Sequence, residues 1–161
     1  MGTIADQIAN FAEAPHSTVE AKIDDKGRLK LPSGSLDWCK KSNILNVFIT
    51  TLDKQTVRIY PIPVWKSTLM LLEAPGPKAK IGADLARVAK KYGADAEIDA
   101  QGRVLLPSAL RTLLALEGEM VAVEHAAGRI DLAVKAIYDK EMAEAEKDLP
   151  AKFETFREIG L

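Results

Sequence analysis

One cysteine and two histidines among 161 residues set the first limits on this chain. Cys39 alone allows no internal disulfide, so the fold must be held by its core, and the residue reads as a small buried hydrophobe in a reducing compartment. His16 and His125 stand apart from any Cys or carboxylate at metal-ligand spacing and read as surface or turn residues. Gly-x-Ser-x-Gly, a Walker-type loop and a Cys–His pair are missing too. The expectation is therefore no catalysis, no cofactor, no metal and no small-molecule substrate. No apolar run approaches the length of a membrane span, and the amino terminus carries no basic segment followed by an apolar one. A cytoplasmic protein, neither exported nor inserted, is expected.

A large excess of one charge sign is also lacking: the net charge is −1, which argues against bulk affinity for nucleic acid. Its distribution is uneven. Residues 18–66 carry nine Lys/Arg against five Asp/Glu, net +4, whereas residues 119–161 carry six against ten, net −4. An apolar fraction of 47% suffices for an ordinary core.

The most informative positive feature is a repeat. Lys22-Ile23-Asp24-Asp25-Lys26-Gly27-Arg28-Leu29-Lys30-Leu31-Pro32-Ser33 returns 75 residues later as Glu97-Ile98-Asp99-Ala100-Gln101-Gly102-Arg103-Val104-Leu105-Leu106-Pro107-Ser108, with seven identities in twelve positions. The match extends downstream. Ile44 to Thr51 and Val57 to Tyr60, joined through Asp53-Lys54-Gln55, predict a β-branched hairpin that recurs as Met120 to Val123 and Ile130 to Leu132 around Ala126-Ala127-Gly128. Trp65 then falls opposite Tyr138.

Around the motifs, periodicity assigns the remaining elements. Ile4, Ile8 and Phe11 predict a short amphipathic arm before Pro15, which needs a surface to pack on; a neighbouring subunit is one. Val19, Ala21 and Ile23, then Leu29 and Leu31, alternate with polar residues as the two arms of a hairpin that puts Arg28 and Lys30 on its other face. After the second motif, Pro107 opens a helix with Leu110, Leu113 and Leu114, capped by Gly118. In the first half Ser33-Gly34-Ser35 is a poor helix opening, and only a brief turn is expected at Leu36 to Cys39. Helices are predicted over about 64–72, 80–92 and 136–149, the last broken at Pro150, with Gly82-Ala83-Asp84 capping the second of them. Phe153 and Phe156 mark an amphipathic tail suited to packing.

The motif Asp-x-x-Gly-Arg-x-x-x-Pro has a physical reading. An Asp opening a tight turn accepts bonds from backbone N–H groups just ahead, and Gly in the fourth position tolerates positive φ. The Arg after it begins the returning strand, where the carboxylate orients its guanidinium; the Pro then ends the ladder. Two roles are open to Asp24–Arg28 and Asp99–Arg103: internal pairs that only fix each turn, or a quasi-twofold pair of basic tips facing adjacent nucleic-acid half-sites.

These tandem motifs, each followed by a Val/Ile-rich hairpin and an aromatic-led helix, resemble the MraZ family, relatives of AbrB-type DNA-binding proteins, over about residues 18–145. The resemblance implies a β-rich α+β fold: a tandem-repeat swapped-hairpin β-barrel with flanking helices, assembled as a homo-oligomeric ring. Periodicity and the two repeats together divide the chain into a helical arm (1–17) and a tail (150–161), both unlike the compact family pattern, around a first repeat (18–73), a linker and connecting helix (74–93) and a second repeat with its C-terminal helix (94–149). The resemblance also implies a nucleoid-associated repressor of the division and cell-wall gene cluster, bound to double-stranded DNA with short repeated boxes. Arg28 and Arg103 would contact DNA, assisted by Lys26 and Lys30, with Asp24, Asp99, Gly27 and Gly102 shaping the tips. An AbrB-like interaction or antitoxin module with weakened DNA binding is the alternative, and the acidic end of the chain is what favours it.

Overall fold

The apolar segments pair as strands, but mostly with the opposite half of the chain. In the computed structural model, which describes residues 2–161, Val19–Lys22 (β1) and Arg28–Lys30 (β2) form no ladder with each other; past the end of β1 the turn closes through one isolated bridge, Ile23 with Leu29, and the Asp24 N–H donating to the Arg28 carbonyl at 2.9 Å. The expected hairpin is therefore corrected: its turn forms, while its arms diverge to other partners. β1 pairs antiparallel with Met120–Ala126 (β7), and β2 pairs with Arg103–Leu105 (β6). In the mirror arrangement, Ala94–Glu97 (β5) pairs with Asn46–Thr50 (β3). The local hairpins β3 with Val57–Pro61 (β4) and β7 with Arg129–Val134 (β8) are joined to each other through β4 and β8. The result is an α+β fold with an antiparallel six-stranded sheet in the order β1-β7-β8-β4-β3-β5, plus the two-stranded β2–β6 ribbon.

This exchange follows from burial. Ile23, Leu29, Ile49, Ile59, Leu106, Leu110, Ile130 and Leu132 are all but inaccessible and form one core drawn from both halves. Each such side chain contributes about 1.5–3 kcal/mol on full burial. Cys39 lies in this core as expected, and burial pushes its thiol up to about 11, where it is inert as a nucleophile.

Helix α1 (Ile4–Ile8) opens with a capping box formed by Thr3 and Asp6. The arm that it begins packs on its own chain. Phe11 sits edge-on to Trp38, the Trp38 indole N–H donates to the Ala12 carbonyl at 3.0 Å, and Ser67 donates to the Gly2 carbonyl. Ser33–Lys41 (α2) is a full helix rather than the brief turn expected, because tertiary burial of Ser35, Trp38 and Cys39 outweighs the weak propensity of its opening. Its counterpart Ser108–Leu114 (α5) is preceded by Pro107 and ends at Ala115 in the left-handed region, so Gly118 serves the following turn instead of capping the helix.

Ile62–Leu72 (α3) and Ala79–Tyr92 (α4) pack side by side. Gly82, expected in a cap, lies within α4, and a Cβ there would overlap the Leu72 carbonyl oxygen; the glycine admits the end of α3. Lys135–Ala145 (α6) ends well before Pro150, and Asp148 in the left-handed region turns the chain into Leu149–Arg157 (α7), with Pro150 in its first turn. The break is thus set by the turn at residues 146–148, and Pro150 starts a helix instead of ending one.

His125, expected at a surface or turn, is half-buried in β7. It shares a 2.8 Å hydrogen bond with Ser35 through Nε2, and its ring stands edge-on to Trp38. His16 is exposed beside Glu13.

Candidate nucleic-acid interface

Each motif builds the same tip. In the first, the Asp24 carboxylate accepts from the Lys26 and Arg28 backbone N–H groups at 3.0 and 2.8 Å and from Arg28 Nε at 2.9 Å. In the second, Asp99 accepts from Gln101 and Arg103 N–H at 2.9 Å each and from Arg103 Nε at 3.0 Å. Gly27 and Gly102 adopt φ of 83° and 76° at the turns, as the motif requires. The Arg28 backbone bond is the main influence holding the Asp24 carboxyl below its ordinary range, with the guanidinium adding to it; Asp99 is lowered in the same way by Arg103. Both carboxylates stay ionised through the neutral range.

Only the Nε of each guanidinium is engaged by its Asp, so the carboxylate sets the plane of the Arg and leaves the terminal amino groups without hydrogen-bond partners among the described residues. Fixed orientation with open donors suits a fork that grips a planar or anionic acceptor.

Strand exchange then unites the two tips. In the β2–β6 ribbon, Leu29 and Val104 face the core, while the opposite pairs Arg28↔Leu105 and Lys30↔Arg103 face outward. Arg28, Lys30 and Arg103 therefore share one face, and Lys26 is exposed on the turn leading to it. Lys30 stands directly across from Arg103; Asp99 balances that guanidinium, whereas Lys30 makes no ion pair among the described residues and leaves the face with uncompensated positive charge.

The two halves are not equal. Where the first carries Lys26 and Lys30, the second carries Gln101 and Leu105, and Leu105 is exposed at 53%. The repeat alignment alone marks Leu105 as the partner position of Lys30, but only the ribbon register places it opposite Arg28.

A residue outside the motif completes the first tip. Arg111 on α5 donates through Nε to the Leu106 carbonyl at 3.0 Å and through Nη1 to the Lys26 carbonyl at 3.3 Å, and it also pairs with Glu117. No signal in the motif itself points to this residue.

No family model matches the chain. Among curated proteins it is similar to the "Transcriptional regulator MraZ" of Acidobacterium capsulatum, 38% identical over 101 residues that cover 62% of this chain and 68% of the relative. It is 31% identical to the protein of the same name from Koribacter versatilis, over 63% of this chain and 70% of that one. With the Neisseria meningitidis serogroup C protein, again named "Transcriptional regulator MraZ", identity is 33% over 81% of this chain and 87% of the relative.

Proposed function

This chain belongs to the MraZ family of transcriptional regulators, and on that premise we propose that it binds double-stranded DNA through the β2–β6 ribbon and acts as a repressor. The observation that carries the reading is the outward face on which Lys30 opposes Arg103 with Arg28 alongside. A cation pair held in register on an exposed two-stranded ribbon is stabilised by phosphate or by guanine acceptors, and such a ribbon fits the major groove. Arg28 and Arg103 read bases or clamp phosphate; Lys26 and Lys30 neutralise the backbone; Asp24 and Asp99 aim the guanidinium groups; Gly27 and Gly102 permit the turns. The cross-pairing of the two halves supports the swapped-hairpin barrel of the family as the fuller description of the fold. Several copies in a ring present their ribbons to short repeated boxes, and the regulated genes are those of division and cell-wall synthesis, at the nucleoid.

Fluorescence anisotropy with DNA from upstream of the chain's own gene tests this. Arg28→Ala and Arg103→Ala are each expected to weaken binding by about 1–3 kcal/mol, the range for loss of a bidentate Arg contact. Lys140→Ala on α6 serves as the exposed control. Unchanged affinity in both Arg variants, with the fold intact, would overturn the assignment and favour the protein-interaction alternative.

A further inference from the structure

Two apolar surfaces of this chain lie open at once. The first is a groove on the helical side, made of two depressions of about 570 and 470 Å³ that share Leu71. Ile4, Met70, Leu71, Pro75, Ile81 and Leu85 line it, and Leu71 and Ile81 are exposed at 68% and 63%. The second surface is α7. Leu149, Phe153 and Phe156 follow an i, i+4, i+7 stripe continued by Ile159, and every residue from Ala143 to Leu161 is exposed. A helix with two phenylalanines on one face gains little from standing in water, since each ring has about 150–250 Å² to bury.

Charge is complementary as well. Lys66, one turn before Met70 on α3, and Lys78, at the start of α4, make no ion pair among the described residues. Asp148 and Glu158, which bracket α7, are likewise unpaired among them. The groove thus carries Lys78 in its lining and Lys66 beside it, against Asp6 as the acid among its lining residues, and the tail offers an apolar face between acids.

We propose that α7 of one copy docks in the groove between α3 and α4 of a second copy. Within one chain the groove and the tail are both exposed, so they do not satisfy each other. The contact joins two different patches: exchanged reciprocally it closes a twofold dimer, and repeated head to tail it closes into a ring or runs on as a filament. The inference rests on the proposed self-assembly for the presence of a second copy, but not on DNA binding.

The test uses full-length chains. Ile81→Cys is placed in one preparation and Phe156→Cys in another; Cys39 is buried and does not compete. Mixed under mild oxidation, they are expected to give the mixed disulfide between positions 81 and 156 in about tenfold or greater excess over either same-variant dimer, since docking raises the local thiol concentration. Adding Phe153→Glu to the tail-bearing chain is expected to remove that excess, with α7 fully exposed and the fold undisturbed. Products at random proportions, or a dominant tail–tail dimer, overturn the proposal. So does preferential closure onto itself of a chain carrying both substitutions. Light scattering on the unaltered chain separates the two readings: an oligomer without the selective cross-link overturns tail docking alone, whereas a monomer overturns self-assembly with it.

Discussion

Arg111 and Leu36 hold equivalent places in the two halves, and each covers the turn glycine of the opposite tip. A Cβ on Gly27 would overlap the Arg111 side chain, and one on Gly102 would lie 2.6 Å from Leu36 Cδ2. The first tip is thus held by a hydrogen bond from a cation to the Lys26 carbonyl, the other by an aliphatic lid. Each half supplies the support for the turn that begins in the other.

Alanine at either glycine should therefore be costly. A left-handed backbone with a side chain costs about 1–2 kcal/mol before any overlap. Gly102→Ala and Gly27→Ala are expected to lower urea midpoints by at least that much. Leu36→Ala should relieve part of the Gly102→Ala penalty and none of the Gly27→Ala penalty; additivity in both double variants would refute the crossed support.

Restoring the repeat at position 105 should separate stability from affinity. Leu105→Lys adds a cation opposite Arg28 on the ribbon. Without DNA, like charges at a cross-strand pair are expected to cost about 0.2–1 kcal/mol. With DNA, one further phosphate contact steepens the log–log salt dependence by about 0.9. Unfolding and salt titrations measure the two effects, and a loss of affinity at low salt would show that the exposed leucine makes an apolar contact with a base.

Removing Asp24 or Asp99 deletes a negative charge from the surface proposed to meet phosphate, so simple electrostatics predicts tighter binding. The geometry predicts the opposite. Each carboxylate holds two backbone N–H groups and the guanidinium Nε, and its loss frees the Arg to sample many orientations. Asp24→Ala and Asp99→Ala are expected to bind operator DNA more weakly; tighter binding would leave the carboxylates as mere repulsive neighbours.

His125 should make stability depend on pH above the carboxylate range. Desolvation lowers its pKa, partly opposed by Asp131, and Nδ1 is buried without a partner among the described residues. A His with a depressed folded pKa binds its proton more readily in the unfolded chain. Its stability contribution is therefore intact above the unfolded value of about 6.5 and falls as pH drops from there toward the folded pKa. Urea midpoints between pH 7.5 and 5 are expected to decline in the natural chain and to flatten in His125→Gln. Equal slopes would assign the decline to other groups.

The tips were legible in the sequence because their chemistry is local: Asp24, Gly27 and Arg28 sit within five residues and bond to each other. The strand partners were not. Alternation at Val19, Ala21 and Ile23 specifies a half-buried strand, yet the pattern is the same whether the partner is the returning arm or β7, a hundred residues on. The full length of helix α2 is not legible in Ser33-Gly34-Ser35, because its stability comes from Trp38 and Ser35 packing on the arm and on His125. The role of Gly82 was hidden for a related reason, since only the approach of α3 explains it.

The crossing of the strands also has a consequence in time. β1, β2, β3 and β4 each take a partner that lies in the second half of the chain. During synthesis, therefore, the first half leaves the ribosome with open edges and waits for its complement. At about 5–20 residues per second, the 75-residue offset corresponds to a delay on the order of 4 to 15 s. Over that interval the nascent chain displays unpaired β-edges rich in Val and Ile, the kind of surface that chaperones shield and that neighbouring nascent copies can capture. Where several copies are translated from one message, a first half that accepts strands from the wrong neighbour would begin a domain-swapped assembly, so the rate of translation across residues 76–134 bears directly on the yield of correctly closed chains.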